Sequence, residues 1–310
     1  MNKSVVINVL NNLIDRNRIV ISKTGILKFL AGLNTVHFDK IVPYKIEPLG
    51  IIFKEICRNS SNEEMESIRK IVILKSLLGS WDEIFSAKYP VSIQEQYQKT
   101  SQRIINICIG KQSGWNNHSE DVYWKDLALS RQQMFPAGAQ IVEVFSGFGL
   151  MQGLRANLAQ MFRFVKLLIY GGGRIGYYQI HTHTPELEEF TEQGWNDCYV
   201  RIAEMLDIYK NVKGVFGASW FYDPQLENIS PRLIYLQKTP LNNGARCFYV
   251  EEDRTGNALA KSKHRYNLYK EGKYKPKKYL LVWPREALLK WARIYSRPTF
   301  ERIFIHSRKT

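Results

Sequence analysis

Apolar positions along this chain change their period near residue 138. Before that point they recur every three or four residues, the spacing of a helix face; beyond it, short apolar runs alternate with further helical patterns. Ser61-Asn62-Glu63-Glu64 has the S-x-x-E form of a capping box, in which side chains satisfy the orphan amides of a helix start. Ile68, Ile71, Val72, Leu74 and Leu78 follow at helical spacing, and Ile93–Cys108 is amphipathic in the same way. The breaker-rich stretch from Gly110 to His118 predicts a domain boundary. The expected organisation is a helical region over 1–112, an α/β core over 113–255 and a basic segment over 256–310 that completes the core.

The second half reads as strands and helices in turn. Ile141–Phe145 is a short apolar strand closed by Ser146-Gly147-Phe148-Gly149, with a helical stretch to about Phe162. Phe164–Tyr170 and Ile175–His183 flank four residues, Gly171-Gly172-Gly173-Arg174, and this arrangement predicts an antiparallel hairpin. Thr184-Pro185-Glu186 carries an N-cap, a proline at the first helical position and an acid in the first turn. Helix follows through Trp195, Val200, Ile202, Met205 and Leu206, either unbroken or restarting after Gln193-Gly194. Val215–Tyr222 is a strand, Ser230-Pro231 opens a helix through Leu233 and Leu236, and Ala245–Val250 and Tyr279–Trp283 are strands, with a last helix from Pro284. This order predicts an α/β (α+β) fold: a mixed, largely antiparallel sheet covered by helices, with a helical amino-terminal region.

Composition sharpens the picture. With 310 residues, 45% of them hydrophobic and 24% charged, the chain can bury a full core. Its net charge of +15 is unevenly placed: Arg254–Thr310 holds sixteen Lys and Arg against three acids, leaving the rest nearly neutral. Such a segment attracts phosphate-bearing partners, including nucleic acid, anionic headgroups and cofactor phosphates. From Lys261 to Lys278 cations are interleaved with tyrosines, the mixture that binds phosphates and stacks on bases, so single-stranded nucleic acid is an admissible partner. Cys57, Cys108, Cys198 and Cys247 form no CxxC pair, which predicts reduced thiols. The apolar run near the start is too short for a signal peptide, and no run reaches the roughly 18 residues of a membrane span. A cytoplasmic protein is expected.

Three constellations suggest chemistry. His181 and His183, two apart at the end of a predicted strand, share a face there, and the His-x-His form resembles the opening ligand pair of metal-dependent amidohydrolases. With only His37, His118, His264 and His306 elsewhere and no second cluster of matching form, no metal is assigned. Glu143–Gly149 joins a strand to a helix through G-x-G and is similar to the first motif of S-adenosylmethionine-dependent methyltransferases, which makes such an enzyme one alternative.

From the predicted hairpin onward, the succession of elements resembles the GNAT acyltransferase superfamily. That resemblance implies an acyl-CoA or acyl-carrier thioester as cofactor, its phosphates received at a helix start. By position the phosphate turn falls on Gln193, Gly194, Trp195 and Asn196; the family's Q/R-x-x-G-x-G/A pattern is retained here at Gly194 alone. General-base candidates are His181, His183 and Glu143, and the resemblance implies a proton donor to the thiolate at Tyr235. The acceptor is an amine or hydroxyl, and an acidic carrier protein fits the basic segment as a partner. A non-enzymatic protein binding nucleic acid through Lys261–Lys278 is the other alternative.

Overall fold

The computed structural model describes residues 3–24, 60–115, 120–154, 156–260 and 262–296, with a few single positions between 25 and 59. Cys57, Lys261, His37, His118, His306 and the basic residues after Ser296 lie outside the described residues. The chain divides into two compact units, one of residues 1–144 with 182–187 and the other of residues 145–181 with 188–310.

Among its described residues the first unit is mostly helical. It contains α1 (Lys3–Arg16), α2 (Arg18–Thr24), α3 (Asn62–Ile84), α4 (Val91–Cys108) and α5 (Glu120–Ser130). The capping box forms as expected: Ser61 Oγ accepts from the Glu64 amide at 3.2 Å, and Glu64 accepts from the Ser61 amide at 2.7 Å. Ile71, Val72, Ile73 and Leu74 are all buried, so α3 is enclosed on every side over this turn. A short antiparallel pair follows, β1 (Met134–Pro136) with the start of β2 (Ile141–Gly147), registered Met134 to Glu143. Tyr97 on α4 donates its hydroxyl to Met134 O at 2.8 Å, which ties that helix to β1.

The six strands have the order β1-β2-β3-β4-β6-β5, a mixed, mostly antiparallel open sheet, as the sequence pattern predicts. In the second unit the elements after β2 are α6 (Leu150–Leu154), α7 (Leu158–Tyr170), β3 (Ile175–His181), α8 (Glu192–Ile208), β4 (Gly214–Ser219), α9 (Leu226–Ile229), α10 (Tyr235–Asn242), β5 (Arg246–Glu252), α11 (Asn257–Ala260), α12 (Lys263–Lys270), β6 (Lys277–Pro284) and α13 (Arg285–Tyr295).

The expected hairpin is not there. Phe164–Tyr170 is the last two turns of α7, which begins at the N-cap Asn157 and buries Gln160, Phe164 and Leu167 on one face. An unbroken apolar run has no period of its own, so strand and helix cannot be told apart within it; the cap seven residues upstream decides. The glycines end this helix. Gly171 and Gly173 return their amides to Leu167 O and Leu168 O, both at 2.7 Å, with Gly172 and Gly173 at positive φ. The helix expected from Thr184 is likewise a 3₁₀ turn, Thr184–Glu189, and α8 starts afresh with Thr191 as N-cap.

The inner strands β3, β4 and β6 are buried on both faces over most of their length, which is why they read as apolar runs, whereas the edge strand β5 alternates. One face carries Phe148, Phe164, Tyr177, Phe216, Phe248 and Val282. On the other, Tyr199 of α8, Trp283 of β6 and Trp291 of α13 form an aromatic layer, with ring centroids 5.0 Å apart for Tyr199 and Trp283 and 5.2 Å for the two tryptophans.

β3 and β4 are parallel and joined through α8, and they pair at Tyr178 with Val215 and Gln179 with Phe216. β4 keeps its antiparallel pairing with β6 over six positions, through Ser219 with Tyr279. On the β3 side two residue pairs are registered, and beyond them Gly217 makes room for its neighbours: a Cβ there would lie 2.8 Å from Ile180 Cγ1 and 2.7 Å from the Tyr222 hydroxyl.

Candidate functional site

Two sets of residues concentrate chemistry, one in each unit. The first surrounds His183. Asp126 on α5 is fully buried and receives three donors: Arg103 from α4 as a bidentate pair at 2.6 and 3.0 Å, Trp115 Nε1 at 2.8 Å, and the His183 ring at 2.9 Å. Burial alone would push the Asp126 carboxyl upward. The Arg103 charge and the His183 hydrogen bond outweigh it and hold the carboxyl well below the usual carboxylate range. His183 is 1% exposed, its Nε2 facing both Asp126 and Arg103, while its buried Nδ1 has no hydrogen-bond partner among the described residues.

His181 ends β3 in the second unit, whereas His183 lies beyond the strand in the first, so the two do not share the strand face that their spacing predicts. Among the described residues, no group of three His, Cys, Asp or Glu side chains is placed to hold a metal ion. Glu143 is buried in β2 opposite Met134, close enough to Tyr44 to help raise that phenol's pKa, after burial and the hydrogen bond from Tyr44 to Asp121.

The second set surrounds the start of α8. Thr191 Oγ1 accepts from the Gly194 amide at 3.1 Å, and the Trp195 amide donates to Thr191 O at 2.9 Å. Gly194 sits so close to the preceding turn that a Cβ would fall 2.0 Å from Glu189 O. Trp195 is core, its ring edge-on to Phe190 at 5.6 Å. Gln193 binds Asp197 at 2.8 Å and accepts from Tyr295 at 3.0 Å. Of the four residues expected at the phosphate turn, Asn196 is the one that lines a cleft.

That cleft, of about 490 Å³, lies among α8, α10 and α13 and is bordered by Asn196, Arg232, Tyr235, Lys238 and Trp291, with Glu192 on its rim. Tyr235 begins α10, its hydroxyl 3.5 Å from Phe190 O. Partial burial and the neighbouring Glu192 push its pKa up to about 12, so the phenol keeps its proton at neutral pH. Lys238 pairs with Glu227 at 2.7 Å.

The Ser146–Gly149 turn is committed to the fold. The Phe148 amide donates to Arg174 O at 3.2 Å and the Gly149 amide to Gln152 Oε1 at 3.0 Å, while Phe148 is core. At Gly147 a Cβ would meet Arg174 O at 2.8 Å, which accounts for the first glycine by close backbone packing.

Arg103, Trp115 and Asp126, and the cleft cations Arg232 and Lys238, carry no local motif. His183 stands 80 residues from Arg103 and 57 from Asp126, and only folding joins them. In comparisons with protein-family models, curated proteins and solved structures, nothing matches this chain. No helix among the described residues is long and apolar enough to cross a membrane.

Proposed function

We propose that this chain transfers an acyl group from a thioester donor, an acyl-CoA or acyl-carrier thioester, to an amine or hydroxyl acceptor in the manner of GNAT enzymes. The observation that carries this reading is the parallel β3–β4 pair, registered over two residue pairs, in a sheet where β6 lies between β4 and β5. Strand edges whose registered ladder is this short leave backbone groups for an extended amide-containing arm such as pantetheine. The cleft among α8, α10 and α13 supports it with Arg232 and with Lys238, which Glu227 also pairs, as cations for phosphates, and with Tyr235.

In this reading the acceptor's nitrogen or oxygen attacks the thioester carbonyl, and the C–S bond breaks. The departing thiolate takes the Tyr235 proton, while the acceptor's proton passes to His181 at the end of β3. Tyr235→Phe should then lower the rate of thiol release about 10²-fold or more, the usual scale of general acid–base assistance. The assay is thiol release from a panel of acyl-CoA donors with amine acceptors, beside the thermal midpoint with each donor. A midpoint unmoved by every acyl-CoA, together with no thiol release, would remove the proposal.

One observation favours a second reading. α12 exposes Tyr266 and Tyr269 beside Lys263 and Lys270, with the Lys270 ammonium 4.7 Å from the centre of the Tyr266 ring. Exposed aromatics among cations suit single-stranded nucleic acid.

A further inference from the structure

α7 is apolar on two sides. Its inner face, Phe164 and Leu167, belongs to the core of the second unit. Its outer face carries Leu158, Phe162, Val165 and Ile169 at spacings of four, three and four, so that all four project within a narrow arc of the helix. Leu158, Phe162 and Ile169 are each 69% exposed, and Tyr170 at the helix end is 81% exposed. α6, which packs on α7, adds exposed Leu150 and Met151. Scattered apolar residues on a surface are ordinary, but an aligned stripe of large ones marks an interaction site.

Within this segment of the chain the charges have one sign. From Phe145 to Pro185 the chain contains no Asp or Glu in 41 residues, and its cations include Arg163 and Lys166 on α7 and Arg174 in the turn after it. All three are exposed, and Lys166 lies 5.8 Å from the centre of the Tyr170 ring.

We propose that the outer face of α6 and α7 docks on an anionic phospholipid bilayer. Helices that lie in a membrane interface combine an apolar stripe that enters the acyl boundary with Lys and Arg beside it that meet the headgroups; Tyr is favoured at that depth. The cations complement a negative surface, as juxtamembrane basic segments do. The complete absence of acids over so long a stretch suits a broadly negative plane. A protein partner would more commonly be met by charges of both signs placed opposite its own.

The test is co-sedimentation of the full chain with vesicles of phosphatidylcholine alone and of phosphatidylcholine with phosphatidylserine. The protein should pellet with the second and not the first. Phe162→Asp with Ile169→Asp should lower the partition coefficient about tenfold or more, since it places charges where the acyl boundary would be. Both side chains are exposed, so the thermal midpoint should hold. Arg163→Gln, Lys166→Gln and Arg174→Gln together form an independent variant that should also weaken binding and reduce its salt sensitivity. If the double aspartate variant pellets as well as the wild type, the basic carboxyl-terminal segment binds the vesicles and the proposal fails. It fails equally if the chain never pellets, or if light scattering without vesicles shows a dimer that the aspartates abolish. None of these outcomes depends on acyl transfer.

Discussion

Asp126 stays ionised with no exposure to water because three donors converge on it, and its neighbours depend on that charge in turn. Removing one member of a buried ion pair leaves the other desolvated and uncompensated, typically at about 3 to 5 kcal/mol. Asp126→Asn should destabilise the first unit by that order in urea at pH 7. The pH dependence follows from the depressed carboxyl. In the unfolded chain an Asp titrates near about 4, whereas in the fold it remains charged below that; below about pH 4 the unfolded state therefore binds a proton that the folded state does not. The stabilisation is full above that range and is lost as pH falls toward the folded value, so the gap between wild type and Asp126→Asn should be narrower at pH 3 than at pH 7. An unchanged gap would show that the carboxyl is not held low. His183 is visible in the sequence as a candidate, but its partners are not, because hydrogen bonding across 57 and 80 residues leaves no local trace.

Among the elements, helix starts decide where side chains go. The first turn of α8 rests on the Glu189 carbonyl, and only glycine at 194 permits that approach. Gly194→Ala should displace this turn, at about 1 to 3 kcal/mol as overpacking usually costs, and with it Asn196 and the cleft wall. A lower thermal midpoint together with weaker acyl-CoA stabilisation is the expected result; an unaltered midpoint would mean that the close approach relaxes freely. The GNAT resemblance puts Gly194 in a phosphate turn; in the structure its near neighbour is the preceding turn of the same chain. The absent hairpin has an equally local origin. Phe164–Tyr170 holds Phe, Val, Leu, Leu, Ile and Tyr with a single Lys, which suits a strand by composition. Only the Asn157 cap and the core packing of Phe164 and Leu167 make it helical.

Across the chain as a whole, the governing feature is uneven charge. Lys273, Lys275, Lys277 and Lys278 sit in or before β6, and Lys273 pairs with exposed Glu271 at 2.8 Å. If the carboxyl-terminal region binds single-stranded nucleic acid, replacing the four by Gln should weaken binding of an oligonucleotide. It should also flatten the dependence of log K on log salt by about 0.7 for each phosphate no longer neutralised. A slope that does not change would take these lysines out of any nucleic-acid interface. The same variant bears on membrane docking from the other side, since lipid binding through α7 should survive it in large part.

Read without its structure, the chain already specifies the helical first half, the capping box at Ser61, the strands from Ile141, Val215, Ala245 and Tyr279, and the concentration of positive charge. Each of these rests on local spacing, local propensity or a plain count, and needs no distant partner. Folding in three dimensions was required to show that β6 inserts between β4 and β5, that β3 and β4 pair in parallel, and that His183 joins Asp126 rather than His181. It also revealed that α7 turns a second apolar face outward. Strand order, buried polar partners and exposure are relations between residues far apart in the chain, and burial on two sides erases the alternation that would otherwise show which face is which.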